Sequence, residues 1–181
     1  MADTPKLREL IREDYVAHSR NWTLPGFRAV VVYRIGAWSE TLGSGLYGKV
    51  LRLISRMLYR YVRNAYGIEL PATAMIGRRV VIEHQGAIVV HGRSRIGDDC
   101  IIRQGVTLGI RSMTDLEGAP RLGNRVNVGA GAMILGPITV GDDVNIGANA
   151  VVLCDVPSGS TAVSSAAKIV PRSVATSPAR G

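Results

Sequence analysis

The chain holds three histidines, His18, His84 and His91. An imidazole with an ordinary pKa of ~6.5 is neutral yet basic near neutral pH, so it can take a proton from an attacking hydroxyl. A carboxylate hydrogen-bonded to the other ring nitrogen fixes the tautomer and stabilises the imidazolium. Glu83 adjoins His84, and Glu69 stands 15 residues before it. A lone histidine is more often structural than catalytic, so the residue types alone leave the choice open. Cys100 and Cys154 form no disulfide framework and no CxxC pair, and no metal site is expected.

The elements that must position these groups follow from composition. Of 181 residues, 46% are hydrophobic and 20% charged, which excludes a disordered chain. Aromatics are 5% and glycines number 21, so the core must be built from small aliphatics, with many tight corners. The charge balance, 22 − 14 = +8, favours anionic partners: nucleic acid, anionic lipid or a phosphorylated small molecule. No nucleic-acid motif supports the first, and no nucleic-acid partner is expected. The opening MADTPKLRELIRED carries no apolar signal core, and no apolar run is long enough to span a bilayer. A cytoplasmic protein is expected.

Residues 1–66 read as an N-terminal helical region. Leu7, Leu10, Ile11 and Tyr15 have helical spacing, PGFRAVVVYRIGAW opens on a proline suited to a first turn, and a third helix runs over about 46–65. In that third helix Lys49, Arg52, Arg56, Arg60 and Arg63 form a basic stripe, with aliphatic residues around the rest. The stripe reads either as a solvated face over a buried apolar one or as a contact for anionic lipid headgroups or a neighbouring subunit.

Beyond Gly67 the period becomes six. Positions 122, 128, 134, 140, 146 and 152 hold Leu, Val, Ile, Val, Ile and Val, and Gly123, Gly129, Gly141 and Gly147 follow four of them. The register also appears at Ile76, Ile82 and Ile88, slips by two, and resumes at Val90, Ile96, Ile102 and Leu108. The 14 residues from Leu108 to Leu122 read as two hexads plus two, the surplus marking a loop at about 109–121. A six-residue period predicts short strands stacked as a parallel β-helix over 67–170, with a tail at 171–181.

IGRRVVIEHQGAIVVHG, RQGVTLG and GAGAMILGPITVGDDVNIGA together resemble the serine acetyltransferases, hexapeptide-repeat acyltransferases. The form of these blocks, behind a short N-terminal region, looks closest to the exopolysaccharide, colanic-acid-type branch. The resemblance implies a mainly β fold: a left-handed parallel β-helix of hexapeptide repeats behind short helices, assembled as a homotrimer. It implies direct acetyl transfer from acetyl-CoA to a hydroxyl. His84 matches the family's base, Glu69 the carboxylate that orients it, and Glu83 an acidic residue that meets the acceptor. Gly109, Ala130 and Ala148 match small positions along which the pantetheine arm lies between subunits. Lys168 matches a basic position near the CoA phosphates, with Arg172 a weaker neighbour.

Two departures bear on the acceptor. Where the family carries Arg-His before a proline at the loop's end, this chain has Gly118-Ala119 before Pro120. An arginine there would clamp an amino-acid carboxylate; Arg111 in the loop is the residue that would substitute for it and keep serine as an acceptor. The family's Arg-Asp-Pro-Ala segment is also absent from AHSRNWTLPGF. The expected acceptor is therefore a sugar hydroxyl in exopolysaccharide biosynthesis, with peripheral membrane contact through the arginine stripe. The alternatives are serine O-acetylation for cysteine biosynthesis and a non-catalytic β-helix scaffold.

Overall fold

A computed structural model describes residues 6–169. The expected tail at 171–181, with Arg172, lies outside the described residues. Three helices come first: α1 (Leu7–Ala17), α2 (Pro25–Thr41) and α3 (Leu46–Tyr66). Helix α3 stops at Gly67, whose φ of +64° turns the chain into the first strand at little steric cost.

Short strands then wind into a prism with three parallel faces. Face A stacks β1 (Ile68–Glu69), β4 (Ile88–Val90), β7 (Thr107–Gly109), β10 (Met133–Leu135) and β13 (Val151–Val152). Face B stacks β2 (Met75–Ile76), β5 (Arg95–Ile96), β8 (Arg121–Leu122) and β11 (Thr139–Val140). Face C stacks β3 (Val81–Glu83), β6 (Ile101–Arg103), β9 (Asn127–Val128), β12 (Asn145–Ile146) and β14 (Thr161–Ala162). Consecutive strands never pair; each bonds to the strand one coil away. No single coil can therefore bury its own apolar edge, and stability comes from stacking.

The aliphatic frame read from the sequence is the interior. Leu108, Val128, Ile134 and Val140 are fully buried, and they lie in register with the aliphatics of adjacent coils. Burying each contributes about 1.5–3 kcal/mol. Such a narrow prism leaves no room for rings, and the one aromatic in the buried core cluster, Tyr33, comes from α2.

The spacing between Leu108 and Leu122 has a different meaning from the one expected. The two residues occupy consecutive faces, A and B, of the same coil, and on other coils that step takes six residues, as from Ile134 to Val140. The surplus is therefore 14 − 6 = 8 residues rather than two, all of it in the loop between β7 and β8.

The helices are fixed to the first coil by buried polar bonds. The Arg34 guanidinium donates from Nε to Asp14 at 2.8 Å and from Nη1 to the Ile76 carbonyl at 2.9 Å, joining α1, α2 and β2. Tyr33 donates its hydroxyl to the Ala74 carbonyl and accepts from the Ile76 N–H. Gly26 lets α2 lie directly on β3, since a Cβ there would collide with the Ile82 carbonyl.

Helix α3 departs from the simpler of its two expected readings. Its buried side is made of Gly48, Ser55 and Val62. Most of its large apolar residues face outward, among them Leu53 and Met57, each about 60% exposed. No described helix is long and apolar enough to cross a membrane.

Candidate active site

The two-residue slip in the hexad frame is the site's origin. In the ladder between β3 and β6, Glu83 pairs with Arg103. At the following corner the Gly105 N–H donates to the Gly86 carbonyl, as the Gly131 N–H does to Gln104 and the Asn149 N–H to Ala130. Gly86 is thus the equivalent of Gln104, and the two residues between Glu83 and Gly86 have no counterpart one coil up. The inserted pair is His84-Gln85.

The insertion pushes the corner out. His84 is exposed and takes φ +65°, in addition to the left-handed residues that recur along this edge, such as Ala87 and Asn149. Left-handed backbone is uncommon outside glycine and clusters at functional sites. A cavity of about 620 Å³ lies beside it, walled by His18, Leu24, Pro25, Gly26, Glu83 and His84. The segment in which the family's Arg-Asp-Pro-Ala was missing is therefore the wall facing His84.

The three histidines separate. His91 borders the corner between faces A and B, where its Nδ1 accepts from the Arg93 N–H. His18 is buried at the end of α1. Its Nε2 accepts from the Ile82 N–H at 3.2 Å while Nδ1 donates to the Asp14 carbonyl at 2.8 Å. Burial holds its pKa below the ordinary histidine value. His18 is a neutral strut supporting β3, and His84 is the imidazole left open to a ligand.

Glu83 forms an ion pair with Arg103, at 2.8 Å from Nε. Arg103 also donates to Asn127 one coil further up. Sequence reasoning singled out Glu83 and missed Arg103. The available signal was its place as the outward neighbour of buried Ile102, one coil from Glu83. Glu69 opens the first coil and His84 closes it; among the described residues no hydrogen bond or salt bridge joins them. Cys100 is buried, its thiol pushed up to about 11 by desolvation, which makes it a core residue rather than a nucleophile.

The remaining expected site residues divide between two edges of the prism. Ala130 and Ala148 lie in the same corner column as Gly86, on the edge between faces C and A. Among the described residues the backbone N–H of each is without an acceptor. The chain beyond β14 crosses this column, where Ser164 donates to the Ala148 carbonyl, and Lys168 follows exposed. Gly109 and Arg111 lie on the other edge, between faces A and B, with the Arg111 stem over Gly136.

The loop end on that second edge is occupied by buried Gly118, Ala119 and Pro120. Beside them is a cavity of about 600 Å³ bordered by Arg93, Arg95 and Arg121. Arg95 and Arg121 are neighbours in register on adjacent coils. Arg93 pairs with exposed Glu117, whereas Arg95 and Arg121 have no acidic partner among the described residues. Two like charges held side by side favour an anionic ligand. Among the described residues no group of three or more His, Cys, Asp or Glu side chains could hold a metal ion.

Residues 119–154 match the family of bacterial transferase hexapeptides with six repeats. The chain is 43% identical over 168 residues to a serine acetyltransferase of Helicobacter pylori, covering 91% of this chain and 94% of that one. It is 36% identical to the putative colanic acid biosynthesis acetyltransferase WcaB of Escherichia coli, over 87% of this chain and 96% of that one. Among solved structures, a serine acetyltransferase of Entamoeba histolytica in complex with cysteine superposes with a TM-score of 0.76 at 25% identity, over 92% of this chain and 61% of that one. A Brucella abortus serine acetyltransferase in complex with coenzyme A gives 0.71 at 27%, over 91% of this chain and 66% of that one.

Proposed function

The chain belongs to the serine acetyltransferase family and is an acyltransferase, and from that premise we propose that it transfers acetyl from acetyl-CoA to the hydroxyl of L-serine. The observation that carries the acceptor is the 43% identity to a serine acetyltransferase along 94% of that enzyme's length. This replaces the sugar hydroxyl expected from the loop. The geometry is in keeping with it: Glu83 and Arg103, beside His84, offer an anion for an α-ammonium and a cation for an α-carboxylate.

In the proposed reaction His84 takes the proton of the serine hydroxyl as its oxygen attacks the thioester carbonyl carbon. The C–S bond of the resulting tetrahedral adduct breaks, and the imidazolium returns the proton to the departing thiolate. The products are O-acetylserine and CoA, with no acyl-enzyme. Glu69 is assigned to orienting the imidazole. The N–H groups of Ala130 and Ala148, without an acceptor among the described residues, suit the amide oxygens of the pantetheine arm, because their small side chains let the ligand reach the backbone. Lys168 suits its phosphates.

A complete site requires two chains. His84 is on one edge of the prism and Gly109 and Arg111 are on another, so a single groove containing both forms only where the first edge of one copy meets the second edge of the next. Closing such a head-to-tail contact into a ring is in keeping with the homotrimer that the family resemblance implies. A donor available in the cytoplasm suits a cytoplasmic enzyme.

A glycan acceptor is the second reading, favoured by buried Gly118 and Ala119 where a carboxylate clamp was expected and by the likeness to WcaB. The test is thiol release from acetyl-CoA by purified protein, with L-serine and separately with an exopolysaccharide fragment. Saturable release with serine alone is the expected result. Release with the glycan and none with serine would overturn the serine assignment.

A further inference from the structure

Helix α3 presents its apolar residues to the outside and its small ones to the protein. Tyr47, Val50, Leu53, Ile54, Met57 and Tyr61 are 46–68% exposed, and at 100° per residue they cover about 120° of the helix circumference. A continuous apolar face of this kind on a 21-residue helix marks a surface that something covers. Next to it, on one flank, run Lys49, Arg56, Arg60 and Arg63, and the helix contains no Asp or Glu. Arg52 is used differently, capping the carbonyls of Ser39 and Leu42 at the end of α2. Among the described residues the four flanking cations have no acidic partner.

We propose that α3 lies in the interface of an anionic lipid bilayer, its apolar face among the upper acyl chains and its basic flank among the phosphates. The charge pattern selects this occupant over a second copy of the chain. Another α3 would bring more cations and no anions to the same contact, whereas an anionic headgroup layer neutralises the flank while the acyl boundary takes the apolar face. The aliphatic stems of the arginines let the guanidinium groups reach headgroup level from a helix lying in the plane. The exposed aromatics Tyr47 and Tyr61 have the amphipathic character favoured at that depth. The placement is independent of the acceptor and of the residues assigned to catalysis.

The test is co-sedimentation of the full-length protein with vesicles of phosphatidylcholine alone and of phosphatidylcholine mixed with phosphatidylglycerol. Binding to the mixed vesicles, weakened by salt, is expected. Replacing Arg56→Gln and Arg60→Gln should lower partitioning about fivefold per residue. Ile54→Glu with Met57→Glu should abolish it. All four positions are exposed, so thermal melting should remain cooperative and the native mass in solution unchanged. Wild-type protein that stays in the supernatant with both vesicle types overturns the proposal. So does a fall in native mass on Ile54→Glu with Met57→Glu, which would make the face a contact between copies.

Discussion

Arg103 donates from Nε to the Glu83 carboxylate at 2.8 Å, across one coil and beside the inserted corner that carries His84. With serine as substrate, this pair offers both charges that a zwitterion needs. Arg103→Ala should raise the KM for serine roughly 10- to 100-fold, the scale of one lost charged hydrogen bond, and leave the KM for acetyl-CoA unchanged. Arg103→Lys should recover only part of this, because an ammonium cannot make the planar two-point contact. Steady-state kinetics with each substrate varied in turn checks it; equal changes in both KM values would remove the acceptor role.

His84 makes no hydrogen bond within the described residues, so its removal should leave the fold intact. His84→Ala should lower kcat about 10²- to 10⁴-fold with CoA affinity and native mass retained. Glu69→Gln should lower kcat less, with Glu69→Asp partly restoring it. Isothermal titration with CoA, beside thiol-release assays, separates loss of chemistry from loss of binding. Full activity in His84→Ala would displace the base.

The hexad frame was legible because each inward position of a narrow prism admits only an aliphatic, so that Leu122, Val128 and Ile134 announce three faces in order. The slip after Ile82 was equally visible, but its meaning was not. A frame shift says that two residues are extra without saying which two, and only the register of Glu83 with Arg103 and of Gly86 with Gly105 identifies them as His84-Gln85. The division of the site between two edges was hidden for a similar reason: spacing along one coil does not say on which corner a residue lies. Helix α3 kept two readings because a one-dimensional pattern shows that two faces differ, not which of them the rest of the protein covers.

Asp14 is buried, and its carboxylate accepts twice from the guanidinium of Arg34, itself buried. Removing one partner strands a charge in a site from which water is excluded. Asp14→Ala should destabilise by about 3–5 kcal/mol, read as a lowered urea midpoint. Asp14→Leu with Arg34→Met should recover a large part, since a hydrophobic replacement of a buried pair is often neutral or better. A double variant as unstable as Asp14→Ala would mean that the Arg34 bonds to the Ile76 and Gly77 carbonyls, rather than the stranded charge, set the cost.

His18 gives the fold a pH dependence whose sign follows from its bonds. Its Nε2 accepts the Ile82 N–H, a role open only to the neutral ring, and burial depresses its pKa below 6.5. The Asp14 carboxylate on the same helix acts in the opposite direction, and the ring of Phe27 on α2, 5.7 Å away, offers no charge. The unfolded chain binds a proton near pH 6.5 that the folded chain resists, so this contribution is fully present above that value and declines as the pH falls toward the depressed pKa. Carboxylates held low by arginine partners, Glu13, Asp99 and Asp143, act in a separate window below their ordinary values of 4.5 and 3.8. Urea midpoints should therefore fall between about pH 7 and 5 in the wild type. His18→Gln should be less stable at pH 7 and nearly flat over that range. An equally steep pH profile in His18→Gln would assign the acid sensitivity to another group.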